Sequence, residues 1–494
     1  MKKIKYMIVV AVLGMTSTAA AQNLQSGYFV DGFLYRHEMN PAFANEQNYV
    51  AMPALGNLNL NLNSNLRVDD VLYRVDTPKG RRTALFLHPS VSAGEFLANI
   101  NEKNRVSQNL KLQILGGGFS AWGGYNTVAI NARENLYVKF PGELLELAKN
   151  GLENKTYDLS NINAHADAYV EMAFGHSRQF TDQLRLGAKL KFLFGIANVD
   201  ASVERAELQL NNDYYTGVTN ATIHASMNDL KYEMKKKMRG MSGSEVEHTY
   251  VGGVDDSKFG VSGFGVAVDL GGEYKIDDNW KVSAALLDFG FIGYSHDFQA
   301  STRGDQEVNT SRYKDGEERL FGFDDDADND NSFDNAMDRL TNDLAYLYEL
   351  QDDGDKGGRT KWLGATLNLG GEYKPDFYDK ITFSLLNSTR IAGKYSWTDF
   401  RIGANWAPVK AFSASVNLAF GTYGTSFGWL LNAHPNGFNF FIGMDHMMGK
   451  LAKQGLPLSG RAQFSMGINF PFGGKTKAKA PKAPIDPQPE QSKN

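Results

Sequence analysis

The sequence predicts an all-β protein: a transmembrane antiparallel β-barrel of about 14 strands, with an N-terminal hatch or plug segment and long extracellular loops that contain short helices. Three observations predict it. In residues 461–470, Ala462, Phe464, Met466, Ile468 and Phe470 fall on one strand face, and Arg461, Gln463, Ser465, Gly467 and Asn469 on the other. An apolar outside and a polar inside suit a wall that meets lipid on one face and a wet lumen on the other. About ten residues also suffice to cross a bilayer at a tilt. Second, the alternation recurs at similar length: Phe412, Ala414, Val416, Leu418 and Phe420 alternate with Ser413, Ser415, Asn417, Ala419 and Gly421, and Leu184, Leu186, Ala188, Leu190, Phe192 and Phe194 with Arg185, Gly187, Lys189, Lys191 and Leu193. Third, the N-terminus reads as an export signal. Lys2, Lys3 and Lys5 precede an apolar stretch at 7–15, and Ala19-Ala20-Ala21 offers a cleavage site before Gln22.

The elements follow in order. Residues 1–21 are expected to be a cleaved signal peptide, and 22–55 a hatch-like segment. The barrel is expected over 56–472. Strands near 56–66, 107–117 and 121–131, with those from 166 to 470, bring the count to about 14. Residues 134–140 fit strand or loop, and 141–152 reads as a short helix. Residues 265–275 are repeated as 364–374, each followed by an Asp-containing turn, which fits one hairpin design used twice. Short turns at 180–183, 275–279, 374–379, 408–410 and 434–437 alternate with long connections at 200–257 and 297–360 and a medium one at 446–460. Placing the C-terminus in the periplasm puts every one of those turns there and the long loops outside. Residues 473–494 mix Lys with Pro481, Pro484, Pro487 and Pro489 and read as a disordered periplasmic tail.

Composition removes other classes. There is no cysteine among 494 residues, which excludes disulfide scaffolds, thiolate metal sites and cysteine nucleophiles. The formal net charge is -5. Losing the three signal lysines leaves 48 basic against 56 acidic residues, or -8. Nucleic-acid binding wants a basic face, so none is expected. Glycine at 50 residues and aromatics at 12% suit a barrel with crowded lumen positions and aromatic girdles. Gly116-Gly117-Gly118 is followed by strand or turn residues rather than a helix, so it is no phosphate loop. The nine histidines show no metal-protease spacing. Neither an enzyme nor an organic cofactor is expected.

Two charged constellations remain. Asp324, Asp326, Asp328 and Asp330 alternate in an acidic run and are the candidate calcium ligands, against the reading of a solvated surface loop. The run lacks the glycine and terminal glutamate of an EF-hand. Phe333, Met337, Leu340, Leu344, Leu347 and Leu350 then recur at helical spacing, predicting a helix that caps the barrel mouth. In 165–195, Asp167 and Glu171 share the lumen face with Arg185, Lys189 and Lys191. Pairing about the 180–183 turn puts Glu171 opposite Lys189 or Lys191, where the charges satisfy one another or line a polar path.

The run Tyr35-Arg36-His37-Glu38-Met39-Asn40-Pro41-Ala42-Phe43 contains an Asn-Pro-Ala stretch. With Gly263-Phe264-Gly265-Val266-Ala267-Val268-Asp269-Leu270-Gly271 and Leu286-Leu287-Asp288-Phe289-Gly290-Phe291, it resembles the long-chain fatty-acid-transporter-like outer-membrane barrels, through an uncharacterised branch of that superfamily. The resemblance implies fourteen strands, a hatch carrying Asn40, Pro41 and Ala42, and hydrophobic or amphipathic small molecules passing by a lateral opening. It also implies the outer membrane of a Gram-negative bacterium, with membrane lipid around the wall. The final strand, through Phe464, Ile468 and Phe470, resembles the signal read by the barrel-assembly machinery. No ligand-binding residue carries over, and the acidic loop departs from the pattern. The alternative is a structural or partner-binding barrel acting through its long loops.

Overall fold

A computed structural model describes residues 23–473 except 46, 78–79, 152, 211–213, 240–245, 310–343 and 448–460. Fourteen antiparallel strands close into one barrel. The first, β1, is broken into Asn48–Ala51 and Leu58–Ser64. Then come β2 (Lys103–Ala121), β3 (Gly124–Pro141), β4 (Ile162–Gln179) and β5 (Leu184–Leu210). They are followed by β6 (Gly263–Lys275), β7 (Trp280–Tyr294) and β8 (Arg359–Trp362 continued by Ala365–Tyr373). The last six are β9 (Ile381–Ile391), β10 (Trp397–Val409), β11 (Phe412–Gly421), β12 (Gly424–Ala433), β13 (Asn439–Met447) and β14 (Arg461–Phe472). Closure comes where β14 pairs with β1, in the register Leu58–Met466 to Asn63–Arg461. In lipid an open edge would leave backbone groups unpaired, so the sheet has to return to its own start.

The side chains are arranged inside out. On β14, Gln463, Ser465 and Asn469 are fully buried, whereas Phe470 is 46% exposed. On β10 and β11, Arg401, Asn405, Ser413 and Ser415 are buried, while Ile402, Trp406, Val416 and Leu418 are exposed. A soluble sheet does the reverse, and this inversion marks the exterior as a lipid-facing surface.

The ends differ. At one end β2 turns into β3 through Trp122 and Gly123, both at positive φ (54° and 74°). Two left-handed residues make the tight turn that suits twisted strands. The connections after β4, β6, β8, β10 and β12 are at this same short-turn end. The opposite end carries the long connections. Residues 134–140 are strand, the upper part of β3. The helix expected at 141–152 is Gly142–Asn150.

Two findings correct the expected loops. The 200–257 connection is largely sheet. β5 leaves β6 at Gly195 and continues against Tyr215–Arg239, which also pairs with Val246–Lys258. Charged residues interrupt both faces there, which hides the alternation of a strand. The segment between β1 and β2 folds into a small lobe. Helices Val68–Val71 and Ala93–Leu97 and the hairpin Leu72–Thr77/Gly80–Leu85 pack Val75, Phe86 and Phe96 against Val106, Phe140 and Leu145. The Phe86 and Phe96 rings stack at 4.2 Å. Elements of four to six residues carry too little periodicity to be read singly.

The predicted cap helix is described only at its end. Residues 344–346 are helical, and Leu344 and Leu347 pack with Tyr157, Leu159, Leu208 and Tyr215. Phe333, Met337 and Leu340 lie outside the described residues, as do the signal peptide and the tail beyond Gly473.

Candidate functional site

The lumen is filled by the chain's own N-terminal segment, residues 23–45. Tyr28, Phe33, Leu34, Tyr35, Met39 and Phe43 form an apolar core with Tyr49, Leu386, Leu430 and Phe441 of the wall. Phe33 meets Phe441 edge to face at 5.0 Å. A segment this apolar inside a polar lumen must also satisfy the lumen's hydrogen-bonding groups, and three sets of contacts do so.

The first set is the Asn-Pro-Ala stretch. Asn40 Oδ1 accepts from the Ala42 N–H at 2.9 Å, closing a local turn over Pro41. Its Nδ2 donates to the Gly272 carbonyl at 3.1 Å and the Ala284 carbonyl at 3.4 Å, on β6 and β7. The wall admits this approach because it is glycine there. A Cβ at Gly187 would collide with the Pro41 carbonyl, and one at Gly271 with Asn40 Oδ1. All three residues of the predicted hatch motif are therefore in the lumen against the wall, and Asn40 and Ala42 are fully buried.

The second set centres on Asp445 of β13. Its carboxylate accepts from the Gln25 N–H, from the Ser26 N–H at 2.8 Å, and from the Ser26 hydroxyl. Arg401 of β10 donates to Gln25 Oε1 at 2.5 Å and to Asn417 Oδ1 at 2.9 Å, and its Nη1 lies 3.4 Å from Asp445 Oδ1. Nothing in the local sequence around Asp445 announces this role, since its partners are 420 residues away.

The third set spans the irregular seam between β1 and β2. These strands pair at Tyr49–Gly118 and Val50–Gly117 and again at Ser64–Val106. Between, residues 52–57 leave the ladder, held to β2 by Ala54 N–H to Ile114 O (3.2 Å) and Gln113 N–H to Asn57 O (3.1 Å). Pro53, Ala54 and Leu55 are exposed on the outside. On the inside, the Tyr35 hydroxyl lies 2.6 Å from Gln113 Oε1 and 2.7 Å from Asn469 Oδ1. Glu38 Oε2 accepts from Asn57 Nδ2 at 2.9 Å and from Lys111 Nζ at 2.6 Å. The segment itself does not cross the bilayer, and its charges are set by the lumen. Burial works against an ionised Glu38, but Lys111 and Lys189 outweigh it and hold the carboxyl at about 2. Burial, then Lys189, pushes His37 down to about 3, so its ring is neutral.

Beside this segment lies an ion network. Lys191 Nζ is 2.7 Å from Asp269 and 2.6 Å from Asp288. Arg133 bridges Glu171 at 3.0 Å and Asp288 at 3.2 Å. Of the five predicted lumen charges, only Glu171 and Lys191 share this network, 3.9 Å apart. In the strand register Glu171 faces Leu193 rather than a lysine. Counted from the turn, the unbroken register pairs Gln179 with Arg185 and so sets Glu171 against Leu193, and Arg133 from the neighbouring strand supplies its nearer ion partner. Asp167 joins His165 (2.8 Å) and Asn135 (2.7 Å), Lys189 donates to the His37 carbonyl at 3.2 Å, and Arg185 reaches Ser177 at 3.5 Å. Arg133, Asp269 and Asp288 were missed as charge partners. Asp288 sits at a bulge with φ 56°, which breaks the alternation that would have flagged it.

Two hollows lie on opposite sides of the wall. Between the segment and the wall, a cavity of about 60 Å³ is bounded by Asn23, Lys111, Arg133, Asp288, Arg390 and Trp397. Outside, a hollow of about 680 Å³ on the lipid face is bounded by Trp122, Phe174, Leu190, Val268 and Leu270. Ligand sites usually enclose roughly 300–1,000 Å³, so this inner cavity holds a few waters at most. Asp324, Asp326, Asp328 and Asp330 lie outside the described residues. Among the described residues no group of three His, Asp or Glu could hold a metal ion.

The chain is similar to several solved barrels. The toluene transporter TbuX of Ralstonia pickettii is 9% identical, with 93% of this chain and 95% of that one covered at a TM-score of 0.36. The toluene transporter TodX of Pseudomonas putida is 10% identical, covering 87% and 90% at 0.36. A FadL homologue of Pseudomonas aeruginosa is 8% identical, covering 92% and 100% at 0.35. A search of curated protein sequences finds no match. The pattern of the Family of unknown function (DUF5723) matches residues 41–445, from Pro41 in the lumen-filling segment into β13, and the chain belongs to that family.

Proposed function

We propose that this protein is an outer-membrane passage for small hydrophobic or amphipathic molecules, closed at rest by its N-terminal plug. The observation that carries the reading is the latch at the β1–β2 seam. Tyr35 and Glu38 hold Gln113, Asn469, Asn57 and Lys111 around the stretch where residues 52–57 leave the ladder. A wall is easiest to open where its backbone pairing is already interrupted. Movement of the plug would free the lumen and loosen that seam together, giving a ligand a sideways route into lipid. The short turns and the C-terminus then face the periplasm and the long loops the exterior. The barrel-assembly machinery would act on the strand bearing Phe464, Ile468 and Phe470. The chain is a passage in this reading, without a catalytic step or cofactor.

The test uses cells lacking the native protein, complemented with wild type or with Tyr35→Phe/Glu38→Gln, and the membrane probe N-phenyl-1-naphthylamine. Wild type should speed dye entry over the deletion strain, and the weakened latch should speed it further. Entry at the deletion-strain rate in both would refute the passage.

A second reading rests on the sheet beyond the barrel. β5 runs 27 residues, and Tyr215–Arg239 runs 25, carrying pairing well past the wall. Such a platform suits a partner at the cell surface. Deleting residues 324–350 should then abolish partner capture while the barrel still folds, and pull-downs that recover nothing with intact loops would end this reading. The same deletion would test whether the four aspartates bind calcium.

A further inference from the structure

Four cations meet at the long-loop mouth of the lumen. Lys103 and Arg105 are on β2, Lys139 is on β3, and Lys394 is on the turn Gly393–Tyr395 between β9 and β10. Arg105 is the direct cross-strand partner of Lys139. Lys139 in turn faces Asn163 of β4, whose Oδ1 accepts from Lys394 Nζ at 2.7 Å.

Like charges placed directly opposite one another destabilise a strand pair. Three other cations of this lumen are answered by carboxylates, Lys111 by Glu38, Arg133 by Glu171 and Lys191 by Asp269, while Lys189, Arg185 and Arg390 rest on neutral acceptors. Among the described residues, none of the four mouth cations has an ion-pair partner, and the charged groups acting on Lys139 are Arg105, Lys103 and Lys394. The arrangement concentrates positive charge at a solvated mouth, where an anion from outside the chain would relieve the repulsion.

Three of the four cations also line one narrow cleft of about 10 Å³. Arg105, Lys139 and Lys394 line it with Tyr137, Tyr395 and Tyr423. The Tyr137 and Tyr395 rings lie 5.2 Å apart and 26° from parallel, and the Tyr137 hydroxyl accepts from Asn109 Nδ2 at 2.9 Å. This wall is therefore fixed before any ligand arrives. Tyr137 lines the small lumen cavity as well, so the cleft adjoins Arg133 and Arg390 below it.

We propose that the rim of this cleft recognises a doubly charged oxyanion, a phosphate monoester whose organic part lies against Tyr395 and Tyr423. A guanidinium offers paired N–H donors to such a group, and ammonium groups add charge without demanding one geometry. A monocarboxylate could balance one cation and leave the rest opposed. The inference concerns the mouth alone and stands whether or not anything crosses the barrel.

The experiment is calorimetric titration of the full-length protein, in a neutral maltoside detergent, with 4-nitrophenyl phosphate. Inorganic phosphate, 4-nitrobenzoate and 4-nitrophenyl glucoside are the comparison arms. The phosphate ester should bind, the benzoate about tenfold more weakly, and the neutral glucoside not at all. Arg105→Gln/Lys139→Gln should raise Kd about tenfold or more. Lys394→Gln sits on an exposed turn and decides alone if the double variant fails to migrate as a folded, heat-modifiable band. It should weaken binding by several fold. Absence of binding to wild type, or equal Kd in wild type and Lys394→Gln, overturns the proposal. Equal affinity for inorganic phosphate overturns the role given to the tyrosines.

Discussion

The Tyr35 hydroxyl lies 2.7 Å from Asn469 Oδ1, and so ties the lumen-filling segment 23–45 to the strand that closes the barrel. Asn469 Nδ2 in turn donates to the Gly56 carbonyl at 3.2 Å, within the excursion from β1. Plug, closing strand and interrupted seam thus meet at one point, and the predictions begin there.

Glu38→Gln should destabilise the plugged state, because it leaves the Lys111 ammonium buried without its carboxylate. Breaking one partner of a buried pair costs about 3–5 kcal/mol. Adding Lys111→Met should recover much of the loss, since the unpaired charge is then gone. Thermal unfolding in detergent compares the three proteins. A single variant as stable as wild type would contradict the pair's importance.

The same pair sets a pH response. The Glu38 carboxyl is lowered from 4.5 to about 2. A lowered carboxylate contributes stability fully above its unfolded value and loses it as pH falls through the folded one. Protection of residues 23–45 from acid-stable protease should therefore persist at pH 5 and fade only towards about 2. In Glu38→Gln this pH dependence should flatten.

Gly271→Val should displace the plug without disturbing the wall. A Cβ there collides with Asn40 Oδ1 from the inside, while the strand conformation itself accepts valine. The readout is cleavage of the N-terminal segment by added protease, with heat-modifiable migration retained. Unchanged protection would mean the Asn-Pro-Ala stretch is not packed against Gly271.

Phe464→Asp/Ile468→Asp/Phe470→Asp should block insertion. These side chains face outward on β14, and charge on the lipid face costs roughly 2–4 kcal/mol near the midplane for Arg or Lys and less for Asp. Truncation after Gly474 should leave insertion intact. A protease-protected barrel formed by the triple variant would show that residues 461–470 are not the closing strand.

Strands with one clean apolar face were legible in the sequence. β11 and β14 needed only the period-two pattern, because lipid imposes it without interruption. The outward extension of β5 was not legible, since past Gly195 neither face meets lipid and both carry charge. The Asn-Pro-Ala stretch marked the plug but not its contacts. Asp445, Gln113 and Asn469 lie far along the chain, and only closure of the barrel brings them to residues 25–38. Glu171 and Lys191 share the buried face, but their nearest partners, Arg133, Asp269 and Asp288, come from neighbouring strands that local spacing does not align.

The most direct test of the central claim, that the N-terminal segment closes an otherwise open barrel, is planar-bilayer conductance of wild type against a chain lacking residues 23–45. Steady, step-like conductance is expected from the shortened chain and none from wild type under the same voltage. Equal conductance in the two, whether open or closed, would contradict it.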